Sequence, residues 1–586
     1  MKYFGSYRSR SAWLALVAFL TLSSVLLQTG CGGALGASPS APPSPTPGPP
    51  PPPPPASFSI SGTISAGTGA SVTLSGTASS STTADSSGNY SFTGLAAGSY
   101  TVTPTEAGFS ISPASQSVAI TNANMSGVDF SATAPSSAGI EVVNHIIFMA
   151  EENRGFDHYF GKLNDYRRNL GLSADVNGLP DNCSSSNSDW TVKCDAMNLS
   201  PNGSGVPTMP IYAFHLKTMC IDGLSPDWIS GHWDFNAEAP TSNTPLMDGF
   251  VISAASAAIA NGEADTAGIR AMGFYTGDDL PYHYWLATQF ATSDEWFNPA
   301  PTRTQPNRFY MMGATSGGYA YPTPGAVINA KTIFDLLQAA GVSWKIYTEI
   351  DDKYTYASVF SGFMSRYGST GNIVQDDGFV QFMADAQSGN LPSVVFLEKP
   401  DADEKPGTGN IQTGVAETRA LINAVMYDQN GGPGKSWKDS VIIFTFDEGG
   451  GTYDHVAPPV NVPSPDGIQP LDVCTSASDP RCPLAVQTHA APPYDPPGTD
   501  FNRYGFRVPL MVISPFTTPH YVSHTVTDYT AWLKFVEKRF NLPSLNLRDA
   551  AASDMTEYFN FQNPPWATPP ANPPTDSTGV CSSTLP

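Results

Sequence analysis

Two regimes of hydrophobic patterning divide the chain. From Phe58 to about Ala134, apolar and polar residues alternate in short stretches, such as Phe58-Ser59-Ile60-Ser61-Gly62, Ala70-Ser71-Val72-Thr73-Leu74, Tyr90-Ser91-Phe92 and Tyr100-Thr101-Val102-Thr103-Pro104. Successive side chains of a strand point to opposite faces, so this alternation buries one face and wets the other. Turn signals at Asp85-Ser86-Ser87-Gly88-Asn89, Gly94-Leu95 and Ala97-Gly98-Ser99 separate the stretches, and the pattern predicts a small β-sandwich over residues 57–135. Beyond Gly139 the apolar runs become continuous, at residues 142–149, 342–347, 391–397, 440–446 and 508–513, with helix-like segments at 333–340, 418–427 and 529–540 between them. Continuous apolar strands alternating with helices predict an α/β domain over residues 139–548, its central sheet covered by helices on both faces. A site in such a domain belongs at the C-terminal ends of the strands. Residues 549–586 read as a Pro- and Asn-rich tail, extended or lying along the surface.

The amino terminus adds a compartment. Lys2, Arg8 and Arg10 precede an apolar stretch over residues 12–27, the pattern of an export signal occupying residues 1–30. Leu27-Gln28-Thr29-Gly30-Cys31 resembles a bacterial lipoprotein processing site, with Gln28 where an aliphatic residue is usual; lipidation of Cys31 and ordinary secretion both stay open. The proline-dominated stretch 31–56 predicts an extended spacer. Export permits disulfides, and short spacing favours Cys183 with Cys194 and Cys474 with Cys482, leaving Cys220 with Cys581 as the remainder.

The formal net charge of −23 repels polyanions and argues against a nucleic-acid partner. An anionic ester is attracted to such a protein only where a cation reverses the local potential. Two segments offer ligands for one. Glu151-Glu152-Asn153-Arg154-Gly155-Phe156-Asp157-His158-Tyr159-Phe160-Gly161 follows the first strong strand of the large domain, and Asp447-Glu448-Gly449-Gly450-Gly451-Thr452-Tyr453-Asp454-His455 follows another. Adjacent carboxylates after an apolar run are costly to bury without a counter-charge, and oxygen donors suit a hard divalent ion of unspecified identity.

These segments resemble the E-N-R-S-F-D-H-Y-F-G and D-E-x-G-G-x-x-D-H-V signatures of the phosphoesterase family, which includes bacterial phospholipase C, acid phosphatase and plant non-specific phospholipase C. The resemblance continues through Thr304-Gln305-Pro306-Asn307-Arg308, Ser514-Pro515-Phe516, Tyr521-Val522-Ser523-His524-Thr525 and Phe535-Val536-Glu537-Lys538-Arg539-Phe540. It implies an alkaline-phosphatase-like α/β fold and hydrolysis of a phosphoester, with phospholipid and small phosphomonoester both open as substrates. It further implies Thr304 as nucleophile, with Thr302 not excluded by spacing. Glu152, Asn153, Asp447 and Glu448 are then the metal and phosphate shell, and His232, His455 and His524 are candidates for protonating the leaving group or binding phosphate oxygens. The aromatics Trp228, Trp233, Tyr282, Tyr284 and Trp285 suit either a choline headgroup or the core. The segment 57–135 resembles carboxypeptidase-regulatory or Cna-B-like sandwich modules, which implies a spacer or contact role.

Two positions depart from the family pattern. Pro226-Asp227-Trp228 stands where relatives read H-S-W, and Asp403-Glu404-Lys405-Pro406 where they read D-E-H-P. Competing readings are another hydrolase of the alkaline-phosphatase-like superfamily, and an exported binding or adhesion protein whose large domain is inert. The lack of a C-x-P-x-R or S-x-P-x-R segment argues against a sulfatase.

Overall fold

The computed structural model describes residues 57–582 except 66, 68, 107–108, 134–138, 202–206, 222, 349–354, 376, 399–408, 473–500 and 576. The export signal, Cys31, the proline-rich stretch, the Cys474–Cys482 pair and Asp403–Pro406 lie outside the described residues.

The period-two region forms two four-stranded sheets. Strands β1 (Phe58–Ser65), β4 (Asn89–Leu95), β6 (Ser110–Ser112) and β8 (Phe130–Thr133) make one, in the order β4-β1-β8-β6; β2 (Ser71–Gly76), β3 (Ser80–Thr83), β5 (Gly98–Thr105) and β7 (Gln116–Ile120) make the other, in the order β3-β2-β5-β7. Alternate residues Val72 and Leu74, Tyr100 and Val102, and Tyr90 and Phe92 meet in a core of their own. This is the sandwich that the alternation predicts.

The large domain is built on an eight-stranded sheet. Its strands are β9 (His145–Glu151), β10 (Ala291–Ser293), β11 (Trp344–Thr348), β12 (Ile373–Val374), β13 (Val394–Glu398), β14 (Ser440–Phe446), β15 (Leu510–Ile513) and β16 (Tyr521–Ser523), in the spatial order β12-β11-β13-β9-β14-β15-β10-β16. All neighbouring pairs are parallel except the two made by β15, which runs against β14 and β10. Helices α1 (Phe156–Phe160), α2 (Trp228–Phe235), α3 (Pro281–Gln289), α4 (Thr304–Gly313) and α5 (Thr530–Phe540) connect or flank these strands.

Both sheet faces are covered, which explains the continuous apolar runs. Phe148 and Phe396, partners across β9 and β13, stack at 5.5 Å, and Trp532 of α5 lies 4.7 Å from Phe148. On the opposite face Phe444, the partner of Met149, meets His283 of α3 at 5.4 Å.

The segment after residue 548 runs along the surface over most of residues 561–582 and is tied to this domain at several points. Met555 and Tyr558 are buried in the main core, Trp437 Nε1 donates to the Trp566 carbonyl at 2.7 Å, and Cys581 is disulfide-bonded to Cys220. A second disulfide joins Cys183 and Cys194.

Candidate active site

Register brings the two acidic segments together. In the parallel pair β9–β14, Phe446 stands opposite Glu151, and the Asp447 N–H donates to the Glu151 carbonyl at 2.8 Å. Glu152-Asn153 and Asp447-Glu448 therefore leave adjacent strands at the same edge. Asn153 adopts φ 68°, a left-handed conformation that asparagine tolerates better than most residues. That bend aims its N–H at Asp447 Oδ1, 3.1 Å away, while its side-chain amide donates to Glu152 Oε2 at 3.2 Å. Gly450, at φ 67°, passes so close that a Cβ there would stand 2.3 Å from the Asn153 carbonyl oxygen, and its N–H donates to Glu448 Oε2 at 2.5 Å.

Helix α4 closes the site from the other side, with Thr304 as its first residue. Asn307 ties down the approach to the helix: its amide donates to the Thr302 carbonyl at 2.6 Å and its Oδ1 accepts from the Ala300 N–H at 3.2 Å. The Thr302 hydroxyl is committed to the Ala320 carbonyl and is buried, whereas Thr304 faces the cavity. One turn along, Arg308 Nε reaches Asp447 Oδ2 at 2.9 Å and its Nη2 stands 3.9 Å from Glu152 Oε1. The Tyr356 ring centroid lies 5.0 Å from the guanidinium carbon.

The cavity so enclosed has a volume of about 370 Å³ and is lined by Glu152, Asn153, Arg303, Thr304, Tyr356 and Glu448, among others. The carboxyls at its wall and behind it are pushed towards protonation. Burial, reinforced by the Asp447 charge, pushes Glu448 well up; the Gly450 N–H and Arg303 oppose this. Burial likewise raises Asp447 despite Arg308, and raises Glu398, at the end of β13, to about 7 although Thr355, Arg308 and the Tyr356 N–H favour its ionised form. Glu448 Oε1 is buried with no hydrogen-bond partner among the described residues. An unsatisfied buried carboxylate oxygen beside further carboxylate, hydroxyl and amide oxygens fits a divalent cation, and Glu152, Asn153, Thr304, Asp447 and Glu448 are the residues that could hold it.

The three candidate histidines do not line this cavity. His232 is buried in α2 with Nδ1 2.7 Å from the Trp228 carbonyl oxygen; burial, then the Arg503 charge, pushes its imidazole down to about 3. His455 Nδ1 lies 2.7 Å from Asp157 Oδ2; burial opposes its ionisation, but Asp157 prevails and its imidazole is raised. His524 Nδ1 lies 2.8 Å from Asp294 Oδ1. Asn177 links these two pairs, with Oδ1 3.1 Å from His455 Nε2 and its N–H donating to Asp294 Oδ2 at 2.6 Å. Ligand atoms of Asp157, Asp454 and His455 come within 4.8 Å of one another, a group that could also hold a metal ion. There, however, a cation is already built in: Arg507 Nη2 stands 2.6 Å from Asp454 Oδ1 and 3.1 Å from Asp157 Oδ1.

Trp228, Trp233, Tyr282, Tyr284 and Trp285 are core residues and do not line the cavity either. Sequence reasoning passed over Glu398, Arg303 and Tyr356. Glu398 carried the same signal as Asp447, a carboxylate ending an apolar strand; Arg303 and Tyr356 carried none.

A profile of the Phosphoesterase family matches residues 143–543, and one of the Carboxypeptidase regulatory-like domain matches residues 59–133. Phospholipase C A of Mycobacterium tuberculosis is 27% identical over 477 residues, covering 74% of this chain and 81% of that protein. Non-hemolytic phospholipase C of Burkholderia pseudomallei is 27% identical, covering 72% of this chain and 60% of that protein. Non-specific phospholipase C1 of Arabidopsis thaliana is 29% identical, covering 72% of each. Since the match takes in β9, α4 and β14, the elements whose ends meet at the cavity, the chain belongs to the Phosphoesterase family and is a phosphoric ester hydrolase.

Proposed function

We propose that the protein is an exported, metal-dependent phosphodiesterase of the phospholipase C type, with Thr304 as nucleophile. The observation that carries this reading is that Thr304 shares one cavity with Glu152, Asn153 and Glu448, while the competing hydroxyl of Thr302 is spent on a backbone carbonyl. The relatives named phospholipase C favour a lipid phosphodiester over a small phosphomonoester.

Glu152, Asn153, Asp447, Glu448 and Thr304 would hold a divalent cation, whose positive charge would ease loss of the Thr304 hydroxyl proton and offset charge on the phosphoryl oxygens. Thr304 Oγ, its proton released to solvent, forms a bond to phosphorus as the bond to the leaving alcohol breaks and that alkoxide takes a proton from solvent; water then cleaves the phosphothreonine ester, restores the hydroxyl and frees the phosphorylated headgroup. Asn307 holds the turn that presents Thr304, and Arg308 holds Asp447 in place.

The large domain over residues 139–548 is the catalytic unit in this reading. Residues 57–135 form a spacer or contact module, and residues 1–56 supply the export signal and a linker, with Cys31 as lipid anchor site or simple processing point. No helix among the described residues is long and apolar enough to cross a membrane.

The test is a panel of p-nitrophenyl phosphate, p-nitrophenylphosphorylcholine and phosphatidylcholine, with and without chelator, on the wild type and Thr304→Ala. The expected result is turnover of the diesters ahead of the monoester, lost in the variant and on chelation. Monoester preference would move the protein to the acid phosphatase type, and an active Thr304→Ala would remove the nucleophile.

A further inference from the structure

The charge lining the cavity is lopsided in a way that singles out one residue. Glu152 and Glu448 both face it, and Arg303 is the one cationic side chain among its described lining residues. Arg308, the other guanidinium nearby, is fully buried against Asp447 and does not line the space. Arg303 immediately precedes Thr304, is the N-cap residue of α4 and lines the same cavity as Thr304. Its own environment holds it ready. Nε stands 3.0 Å from Oδ1 of Asp227, a buried carboxylate at the start of α2 that also accepts from the Ser225 hydroxyl at 3.2 Å. The contact is an ion pair rather than an aligned hydrogen bond; no other ion pair and no hydrogen bond of the Arg303 side chain occur among the described residues, and the side chain is 41% exposed, so its guanidinium N–H groups are available to a ligand. Pro226, adjacent to Asp227, lines the same cavity and can offer neither proton nor charge.

We propose that Arg303 binds the non-bridging oxygens of the phosphoryl group that enters this cavity, and that Asp227 is the positioning residue that fixes the guanidinium for it. The inference rests on the phosphoester reading of the cavity and extends it to the recognition of the phosphate itself. A guanidinium fork matches two phosphoryl oxygens at once, and a partner on one edge orients the opposite edge. The device also answers a problem set by composition: a chain of net charge −23 needs fixed positive charge where an anion must land.

The experiment measures binding of inorganic phosphate by titration calorimetry, together with kcat and KM for p-nitrophenylphosphorylcholine, on the mature chain and on Arg303→Gln, Arg303→Lys, Asp227→Asn and the double variant Arg303→Gln/Asp227→Asn. Losing a charge-assisted contact predicts phosphate affinity and kcat/KM roughly 10- to 100-fold lower in Arg303→Gln. Arg303→Lys recovers part of this as a point charge without the fork. Asp227→Asn loses less, and adds nothing once Arg303 is gone, as expected of a residue acting through another. Phosphate affinity within about two-fold of wild type in a folded Arg303→Gln overturns the proposal, and additive losses in the double variant remove Asp227 from it. Thr304→Ala separates the two readings: if it stays active, the nucleophile assignment fails, while the phosphate titrations still decide Arg303.

Discussion

Arg308 Nε lies 2.9 Å from Asp447 Oδ2, and neither side chain reaches solvent. The pair bolts the first turns of α4 to the end of β14, so the threonine and the carboxylates are placed by one contact. A buried ion pair gains little over well-packed apolar residues, but breaking it strands the surviving charge. Arg308→Met is therefore expected to cost about 3–5 kcal/mol in urea unfolding of chelator-treated protein. A loss under about 1 kcal/mol would mean that Asp447 is not held as a charge by Arg308.

Thr302, just before α4, and Thr304, its first residue, should separate cleanly. Thr304→Ala is expected to lower kcat on the order of 10³-fold or more with unchanged stability, since losing a nucleophile removes the covalent route. Thr302→Val should leave kcat within about ten-fold yet destabilise by about 1–3 kcal/mol, because it abandons the buried Ala320 carbonyl. Reversed phenotypes would transfer the chemistry to Thr302.

Far from the cavity, Glu537 carries a pH signature. Burial, then hydrogen bonding and repulsion from Asp549, push its carboxyl up to about 9, and the Ser544 hydroxyl donates to it at 2.9 Å. The folded state thus keeps a proton that the unfolded chain releases near the ordinary glutamate value of about 4.3. Its contribution is most favourable below that value and is lost as pH rises towards 9. Glu537→Gln, which cannot ionise, should raise the melting temperature at pH near 8 and change it little near pH 4. An equal shift at both ends would show that Glu537 does not titrate in this way.

The Cys220–Cys581 bond spans 361 residues of sequence and holds the carboxy-terminal segment against the domain. Cross-links that close long loops restrict the unfolded chain most, by about 6 kcal/mol for a loop of this length on the chain-entropy account. Cys581→Ser and treatment with reductant should both lower the melting temperature and expose residues after 555 to protease. Indifference to both would mean that Trp437, Phe516 and their neighbours hold the segment unaided.

How far the molecule was legible in its sequence varied with the range of the signal. Strands β9, β13 and β14 announced themselves because burial on both faces leaves no polar alternation, and the sandwich did so because burial on one face does. Glu152 and Asp447 were visible as carboxylates at strand ends. Arg303 and Tyr356 were not, since nothing local marks a side chain that a distant loop delivers to a cavity. Histidines His455 and His524 were candidates for the chemistry, but Asp157 and Asp294 engage them through contacts that span 298 and 230 residues. Proline and asparagine made the carboxy-terminal stretch legible as extended along the surface, but composition cannot register its disulfide or the burial of Met555 and Tyr558.

The backward bend at Asn153 gives that position two masters. Glycine would keep the bend and discard the side-chain oxygen; serine would keep an oxygen and resist the bend; aspartate would satisfy both and add a charge to a crowd of acids. The genetic vocabulary open to residue 153 is thereby reduced almost to one word, and an alanine scan there would report backbone geometry and ligand loss as a single inseparable defect.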